Sequence, residues 1–243
     1  MTRRRWIADT ATDKTASLLG AQAQHLTRVL RAQPGMAADV VANGRVYHAI
    51  IASAGLNEVR FDLLEEIVSE AARPVTLVLS VFKFDRMEWA IEKVTELGVT
   101  TVIPVIARRT EKHLAQATAK RVERWRRIAQ EAAKQSRRAE LPVIEDAVAL
   151  SAFMERPSSG YRVLLAENEM NVSLRKRIDA MAAASVDEAP QIELAIGPEG
   201  GWTPEEYALF VERGWLPATL GARILRVETA AIAALSVVSA LLS

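Results

Sequence analysis

The sequence predicts an α/β protein in which a small β-rich N-terminal domain precedes a larger domain built on a mostly parallel sheet. Three observations carry this. Short apolar runs between Val40 and Leu64 are separated by the turn pairs Asn43-Gly44 and Ala54-Gly55, the pattern of antiparallel strands. Val75 to Val81 is a continuous apolar run, as expected for a strand covered on both faces. From there on, strand-like and helix-like stretches alternate, which implies parallel strands joined by crossover helices.

In chain order, His25 to Arg31 reads as a helical turn before Pro34-Gly35, and Val46–Ile51 and Val59–Leu63 read as strands. An acidic segment, Glu65 to Glu70, leads to Arg73-Pro74. Proline restricts the residue before it and marks a boundary, so the domains are expected at residues 1–72 and 73–243. Beyond Val75–Val81 come a helix from Asp85 to Leu97 closed by Gly98, a strand at Thr101–Ile106, a helix near Lys120 to Gln135 and a strand at Arg162–Ala166. A helix at Leu174–Ala184, a strand at Ile192–Ile196, a helix at Pro204–Glu212 and a final helix from Thr229 complete the alternation.

In parallel sheets ligands bind beyond the carboxyl ends of the strands. Two loops stand there. Ile196-Gly197-Pro198-Glu199-Gly200-Gly201-Trp202 is followed by Thr203-Pro204-Glu205-Glu206, a helix start with a capping threonine, proline at the first position and a capping-box glutamate. Its glycines admit a ligand close to the backbone or serve only a tight turn. The second loop is Leu220-Gly221-Ala222-Arg223-Ile224-Leu225-Arg226-Val227-Glu228-Thr229-Ala230. Its charges are either used or solvated around a helix entry. Neither Gly-x-Gly-x-x-Gly nor a terminal Gly-Lys-Ser/Thr occurs, and Glu199 would repel phosphate. A ligand with a neutral adenosine and a cationic centre therefore suits the first loop better than ATP or NAD.

Composition narrows the partners. Of 243 residues, half are hydrophobic and a quarter charged, and the formal net charge is only +1. That average hides a basic segment, Arg108 to Arg138, with eleven Lys or Arg against three Glu. Such a face binds RNA phosphates or is merely solvated, with Trp125 available for packing or stacking. The absence of cysteine excludes thiol chemistry and fits a reducing, cytoplasmic location. His25, His48 and His113 share no metal-ligand spacing, so no metal is expected. The basic start Arg3-Arg4-Arg5 is followed by Trp6-Ile7-Ala8-Asp9 and not by the apolar core of a signal peptide. The most apolar stretch, Thr229 to Leu242, is about 14 residues, short of the roughly 20 that span a bilayer. No membrane association is expected.

Taken with Lys93-Val94-Thr95-Glu96-Leu97-Gly98-Val99, with Gln135-Ser136-Arg137-Arg138 before Pro142, and with His25-Leu26-Thr27-Arg28-Val29-Leu30-Arg31, the two C-terminal loops make the chain resemble the ribosomal RNA small subunit methyltransferase E family of SPOUT RNA methyltransferases. The blocks fall in family order over nearly the whole chain. The resemblance implies an N-terminal PUA-like β-barrel that helps hold RNA and a C-terminal deep trefoil-knot domain that binds S-adenosyl-L-methionine. It further implies methylation of N3 of a uridine in 16S rRNA of the small ribosomal subunit, by a homodimer.

On this basis the cofactor residues are expected to be Leu164, Leu165, Ala166, Ile196, Gly197, Pro198, Glu199, Gly200, Gly201, Leu220, Gly221, Ile224, Leu225 and Arg226. Arg226 and Arg109 are expected to position the target or stabilise its developing charge. Glu199 or Glu228 either accepts the N3 proton or is structural. His25, Arg28, Arg31, Arg124, Arg127 and Arg138 are the expected RNA contacts. A non-catalytic ribosome-assembly factor of this fold, or a SPOUT enzyme acting on another base or on ribose 2′-OH, are the alternatives.

Overall fold

The computed structural model describes residues 5–67, 74–136, 138, 140–157, 160–184 and 191–242. The chain divides into two compact units, Met1–Ala71 with Ala133–Leu141, and Ala72–Ala132 with Pro142–Ser243. The expected junction at 72/73 lies outside the described residues.

The first unit is a six-stranded sheet of β1 (Arg5–Ile7), β2 (Thr10–Ala11), β3 (Thr15–Leu19), β4 (Ala37–Ala42), β5 (Arg45–Ala54) and β6 (Glu58–Glu66) in the order β1-β4-β5-β6-β3-β2. Its two edges come from one continuous segment: β1 runs parallel to β4 at one edge, and β2 pairs antiparallel with β3 at the other. Ala8 N–H donates to Val41 O and Asp9 N–H to Ser17 O across the join, both at 2.9 Å. The sheet thus closes into a barrel, which leaves no open edge. Asn43 and Gly44, φ 51° and 77°, make the two-residue β4–β5 turn whose positive dihedrals match strand twist. Alternate residues point inwards, among them Leu18, Val40, Ile51, Val59 and Phe61. Leu26 joins this core from the segment formed by α1 (Gly20–Gln24) and a π-helical turn, His25–Val29. The π turn stands where the sequence suggested a simple helical turn, with Leu30 N–H reaching His25 O.

The second unit holds a seven-stranded, wholly parallel sheet. It contains β7 (Val75–Ser80), β8 (Thr101–Ile106), β9 (Val143–Ile144), β10 (Val148–Ala149), β11 (Tyr161–Leu165), β12 (Ile192–Ile196) and β13 (Leu216–Ala218). The order is β10-β8-β7-β12-β11-β13, with β9 also on β8. The helices are α2 (Phe84–Glu96), α3 (Lys112–Ala117), α4 (Val122–Gln135), α5 (Leu150–Met154), α6 (Leu174–Ala184), α7 (Pro204–Glu212) and α8 (Val227–Leu242).

Strand alternation divides the core into two layers. Leu77, Leu79, Val163, Leu165, Leu194 and Ile196 face one layer, packed by Met87 and Ile91 of α2, Trp125 of α4, Ile178 of α6 and Leu235 of α8. Val78, Ile103, Leu164 and Ala195 face the other, with Phe153 of α5, Phe210 of α7 and Trp215. Trp125 is fully buried, so it packs and is not exposed for base stacking. Gly98, φ 99°, ends α2 as expected for a glycine C-cap. The last helix begins two residues earlier than its apolar pattern suggested. No helix among the described residues is long and apolar enough to cross a membrane.

Candidate functional site

Because every strand of the second sheet runs the same way, the segments after β7, β8, β11, β12 and β13 emerge at one end. The glycine loop after β12 turns back through Gly201 N–H to Pro198 O at 2.8 Å, with Gly201 at φ 70°. A Cβ on Gly197 would lie 3.2 Å from Nε1 of Trp202, a tight contact that requires the indole to give way. A Cβ on Gly200 would lie 3.2 Å from Cδ of Arg109. Arg109 itself donates from Nη1 to Gly200 O at 2.5 Å and to Trp202 O at 3.4 Å. One arginine from the β8 loop thus braces the backbone of the β12 loop.

The base of that loop is fixed by a carboxylate with both oxygens engaged. Glu206, 5% exposed, accepts from Arg108 N–H at 2.8 Å and from Thr203 N–H at 2.9 Å, while Thr203 Oγ1 accepts from Glu206 N–H at 3.2 Å. The expected capping box is therefore present and also ties the β8 loop to α7. Next to it, the hydroxyl of Thr203, followed by its own backbone N–H, holds the Glu205 carboxyl below the usual carboxylate range, and Arg108 and Arg109 add to this.

A second set of hydrogen bonds surrounds the loop before α8. Ala166 N–H donates to Ala218 O, Thr219 N–H to Val172 O and Leu174 N–H to Thr219 O, so residues 218–219 are hydrogen-bonded to both ends of the 166–174 loop. Gly221 takes φ 119°. Leu220 is half-buried against the core, whereas Arg223, Ile224 and Arg226 are exposed, Ile224 at 84%. Arg226 makes no side-chain hydrogen bond or ion pair among the described residues. Glu228 is buried and accepts from Nη1 of Arg86 at 3.0 Å. Glu199 lies 3.7 Å from Nζ of Lys83.

Lys83 and Arg86 are residues that motif reading passed over. They occupy the β7–α2 junction, at the carboxyl end of the apolar run, and the rule that ligands gather there is the signal that points to them. Three side-chain atoms at this end are buried without a partner: Ser80 Oγ at the end of β7, Trp202 Nε1 and Glu228 Oε2. Buried polar atoms are nearly always satisfied, so orphans gathered around glycine loops mark a place for a polar ligand.

The expected RNA contacts divide. Arg124 donates to Glu88 at 2.7 Å, with Arg121 3.8 Å away from the same carboxylate, whereas Arg127 is exposed and has no partner among the described residues. Arg138 is half-buried, and burial holds its guanidinium below its usual value. His25, Arg28 and Arg31 are exposed in the first unit, the His25 ring 6.2 Å from that of Trp6. No cluster of metal-ligating side chains occurs among the described residues.

The parallel sheet with its glycine-bearing loops at the carboxyl end is an α/β ligand-binding arrangement, and residues 69–239, which contain it, match the family model described as an RNA methyltransferase domain, which places the chain in the RNA methyltransferase class. The chain belongs to the ribosomal RNA small subunit methyltransferase E family. It is 35% identical to the Synechocystis sp. member over 95% of this chain and 74% of that one. With the Bacillus subtilis member it shares 31% identity over 93% of this chain and 90% of the other. The crystal structure of the Neisseria gonorrhoeae member bound to S-adenosyl methionine superposes with a TM-score of 0.73 at 27% identity, covering 98% of both chains.

Proposed function

We propose that this protein transfers a methyl group from S-adenosyl-L-methionine to N3 of a uridine in 16S rRNA of the small ribosomal subunit. The observation that carries the reading is the set of orphaned polar atoms, Ser80 Oγ, Trp202 Nε1 and Glu228 Oε2, at the sheet end that carries the glycine-bearing loops. A donor, an acceptor and exposed amides suit the hydroxyls, amine and carboxylate of such a cofactor. Leu164, Leu165, Ala166, Ile196, Gly197, Pro198, Glu199, Gly200, Gly201, Leu220, Gly221, Ile224, Leu225 and Arg226 are the residues we assign to it.

When bound, the cofactor supplies an electrophilic methyl on a sulfonium. Methylation at N3 would require the N3 proton to leave to a base of the protein as the methyl group leaves sulfur. Uridine N3 is a poor nucleophile until that proton departs, so the protein's contribution is orientation and charge. Arg226, uncommitted and exposed, is placed to stabilise the uridinate. Arg109 is committed to the glycine loop, and its remaining donors can still face the target. Of the two carboxylates, Glu228 is tied to Arg86 and Glu199 is the more open proton acceptor.

The chain path supports a trefoil knot. After β13, at the sheet edge beside β11, the chain hydrogen-bonds to both ends of the 166–174 loop and returns to pack α8 against α2, α6, β7 and β12. Ile232, Val237, Leu241 and Leu242 leave α8 apolar on a half-exposed face, which suits a homodimer interface. The closed barrel of the first unit suits a PUA-like RNA-holding domain. A protein of this kind works in the cytoplasm.

Calorimetry with S-adenosyl-L-methionine tests the cofactor assignment: Gly200→Val abolishes binding, and retained affinity moves the cofactor elsewhere. Arg226→Ala abolishes methylation; full methylation by that variant removes Arg226 from the reaction. Mass mapping of 16S rRNA from a deletion strain locates the missing methyl group and separates N3 of uridine from any other acceptor.

A further inference from the structure

The amino end of the same parallel sheet, opposite the loops described above, carries an unexpected row of polar residues. Strands covered on both faces are ordinarily apolar throughout. Here Arg162, Glu193, Thr76 and Thr101 are direct cross-strand neighbours on β11, β12, β7 and β8. By strand alternation they share the face of Leu164, Ala195, Val78 and Ile103, one residue pair further toward the amino end. They form the floor of a cavity of about 230 Å³, whose walls include Phe153, Arg156, Arg213 and Trp215.

Of the three guanidiniums around this cavity, two are answered by carboxylates. Arg156 donates to Glu145 and Arg213 to Glu155, both at 2.6 Å. Arg162 is half-buried, and its guanidinium makes no hydrogen bond or ion pair with any described residue, its cross-strand neighbour Glu193 included. A partly desolvated guanidinium with an unused fork of donors is costly without a counter-charge. Gly214, φ 80°, adjoins the guanidinium: a Cβ there would stand in ordinary contact, 3.4 Å from Arg162 Nη2.

We propose that this cavity is a binding site for a small oxyanion, with Arg162 as its principal donor and Arg156, Arg213 and the Thr101 hydroxyl as its surroundings. Planar guanidinium donors match the paired oxygens of phosphate or carboxylate. The volume selects size: it lies below the 300–1,000 Å³ typical of pockets for drug-sized ligands yet holds several waters at ~30 Å³ each. An inorganic-sized anion fits and a nucleotide does not. The site stands at the end of the sheet away from the cofactor loops, so its occupancy is separable from S-adenosyl-L-methionine binding.

The test is calorimetric titration of the full chain at low ionic strength with inorganic phosphate and, separately, with succinate. Saturable one-site binding of either anion is expected, and the tighter of the two identifies the oxyanion type. Arg162→Gln weakens it at least about tenfold, the loss of one charge-assisted hydrogen bond. Glu193→Gln removes a repelling carboxylate from the floor and strengthens binding. These opposite signs cannot both arise from damage to the fold. Absence of saturable binding to either anion, unchanged affinity in Arg162→Gln, or weaker binding in Glu193→Gln each overturns the proposal.

Discussion

Arg86 and Glu228, 142 positions apart in the chain, meet through a hydrogen-bonded ion pair of 3.0 Å at the start of the last helix. Three residues before Arg86, Lys83 lies 3.7 Å from Glu199 of the glycine loop. A single turn of chain at the β7–α2 junction therefore answers the acidic residue of each C-terminal loop and sets the position of one loop against the other.

Removing Arg86 leaves the Glu228 carboxylate buried and unpaired. Arg86 is about a third exposed and Glu228 8% exposed as side chains, so the cost of Arg86→Ala is about 2 kcal/mol, below the roughly 3–5 of a fully buried pair. Glu228→Gln costs about 1 kcal/mol, because a neutral amide needs less compensation. Urea unfolding of the two single variants and the double variant checks this. A double variant destabilised by the full sum of the two single costs shows that the pair is not coupled.

Much of the second unit was legible because its signals are local. Val75–Val81, Gly98 and Thr203-Pro204-Glu205-Glu206 each dictate an element through burial, dihedral freedom or capping, and each stands where its pattern placed it. The two C-terminal loops were legible for the same reason. The short strands β1, β2, β9, β10 and β13 were not, since two or three residues carry no period and owe their pairing to neighbours far along the chain. The braces between loops escaped for a related cause. Glu206 reaching Arg108 N–H, and Arg86 reaching Glu228, link residues 98 and 142 positions apart, and nothing in either local sequence names its partner. In the basic segment a count of charges does not disclose pairing: Arg124 and Arg126 are engaged by Glu88, Glu123 and Asp146.

Gly200 and Arg109 form a tight fit that a methyl group disturbs. Gly200→Ala places its Cβ 3.2 Å from Arg109 Cδ, displacing the side chain that holds Gly200 O. Affinity for S-adenosyl-L-methionine falls about tenfold, equivalent to 1.4 kcal/mol for one disturbed charge-assisted hydrogen bond. In an Arg109→Ala background the same substitution has little further effect, because the colliding group is gone. Calorimetry on the four proteins of this cycle decides it; a full tenfold loss in the Arg109→Ala background places the collision elsewhere.

Arg127 and Arg124 stand one helical turn apart on α4 yet differ in availability. Arg124 is held by Glu88, which raises its already high pKa further through that hydrogen bond and charge, whereas Arg127 has no such partner. Arg127→Glu therefore weakens rRNA binding and lowers the slope of log affinity against log salt by about 0.7–0.9 for each phosphate no longer neutralised. Arg124→Ala changes the slope less. Filter-binding over a salt series measures both, and equal effects of the two substitutions mean that Glu88 does not withhold Arg124 from RNA.

Glu169 organises the loop between β11 and α6, accepting through one oxygen from the N–H groups of Asn171 at 2.7 Å and Val172 at 3.0 Å. These two backbone donors hold its carboxyl below the usual carboxylate range. A carboxyl whose folded pKa is depressed contributes its full stabilisation above the unfolded value, about 4.3 for glutamate, and loses it as pH falls through the lower folded value. The Asn171 and Val172 amide resonances should consequently shift together with a midpoint below about 4.3, and in Glu169→Gln that shared transition disappears. A midpoint at or above that value means that the two donors do not favour the ionised form. Val172 also supplies the carbonyl that receives Thr219 N–H, so the ionised Glu169 orders the segment that holds Thr219. With this carboxyl ionised throughout the neutral range, its hold on the loop is constant from pH 8 down to about 5, and any change in cofactor affinity across that interval must originate in another group.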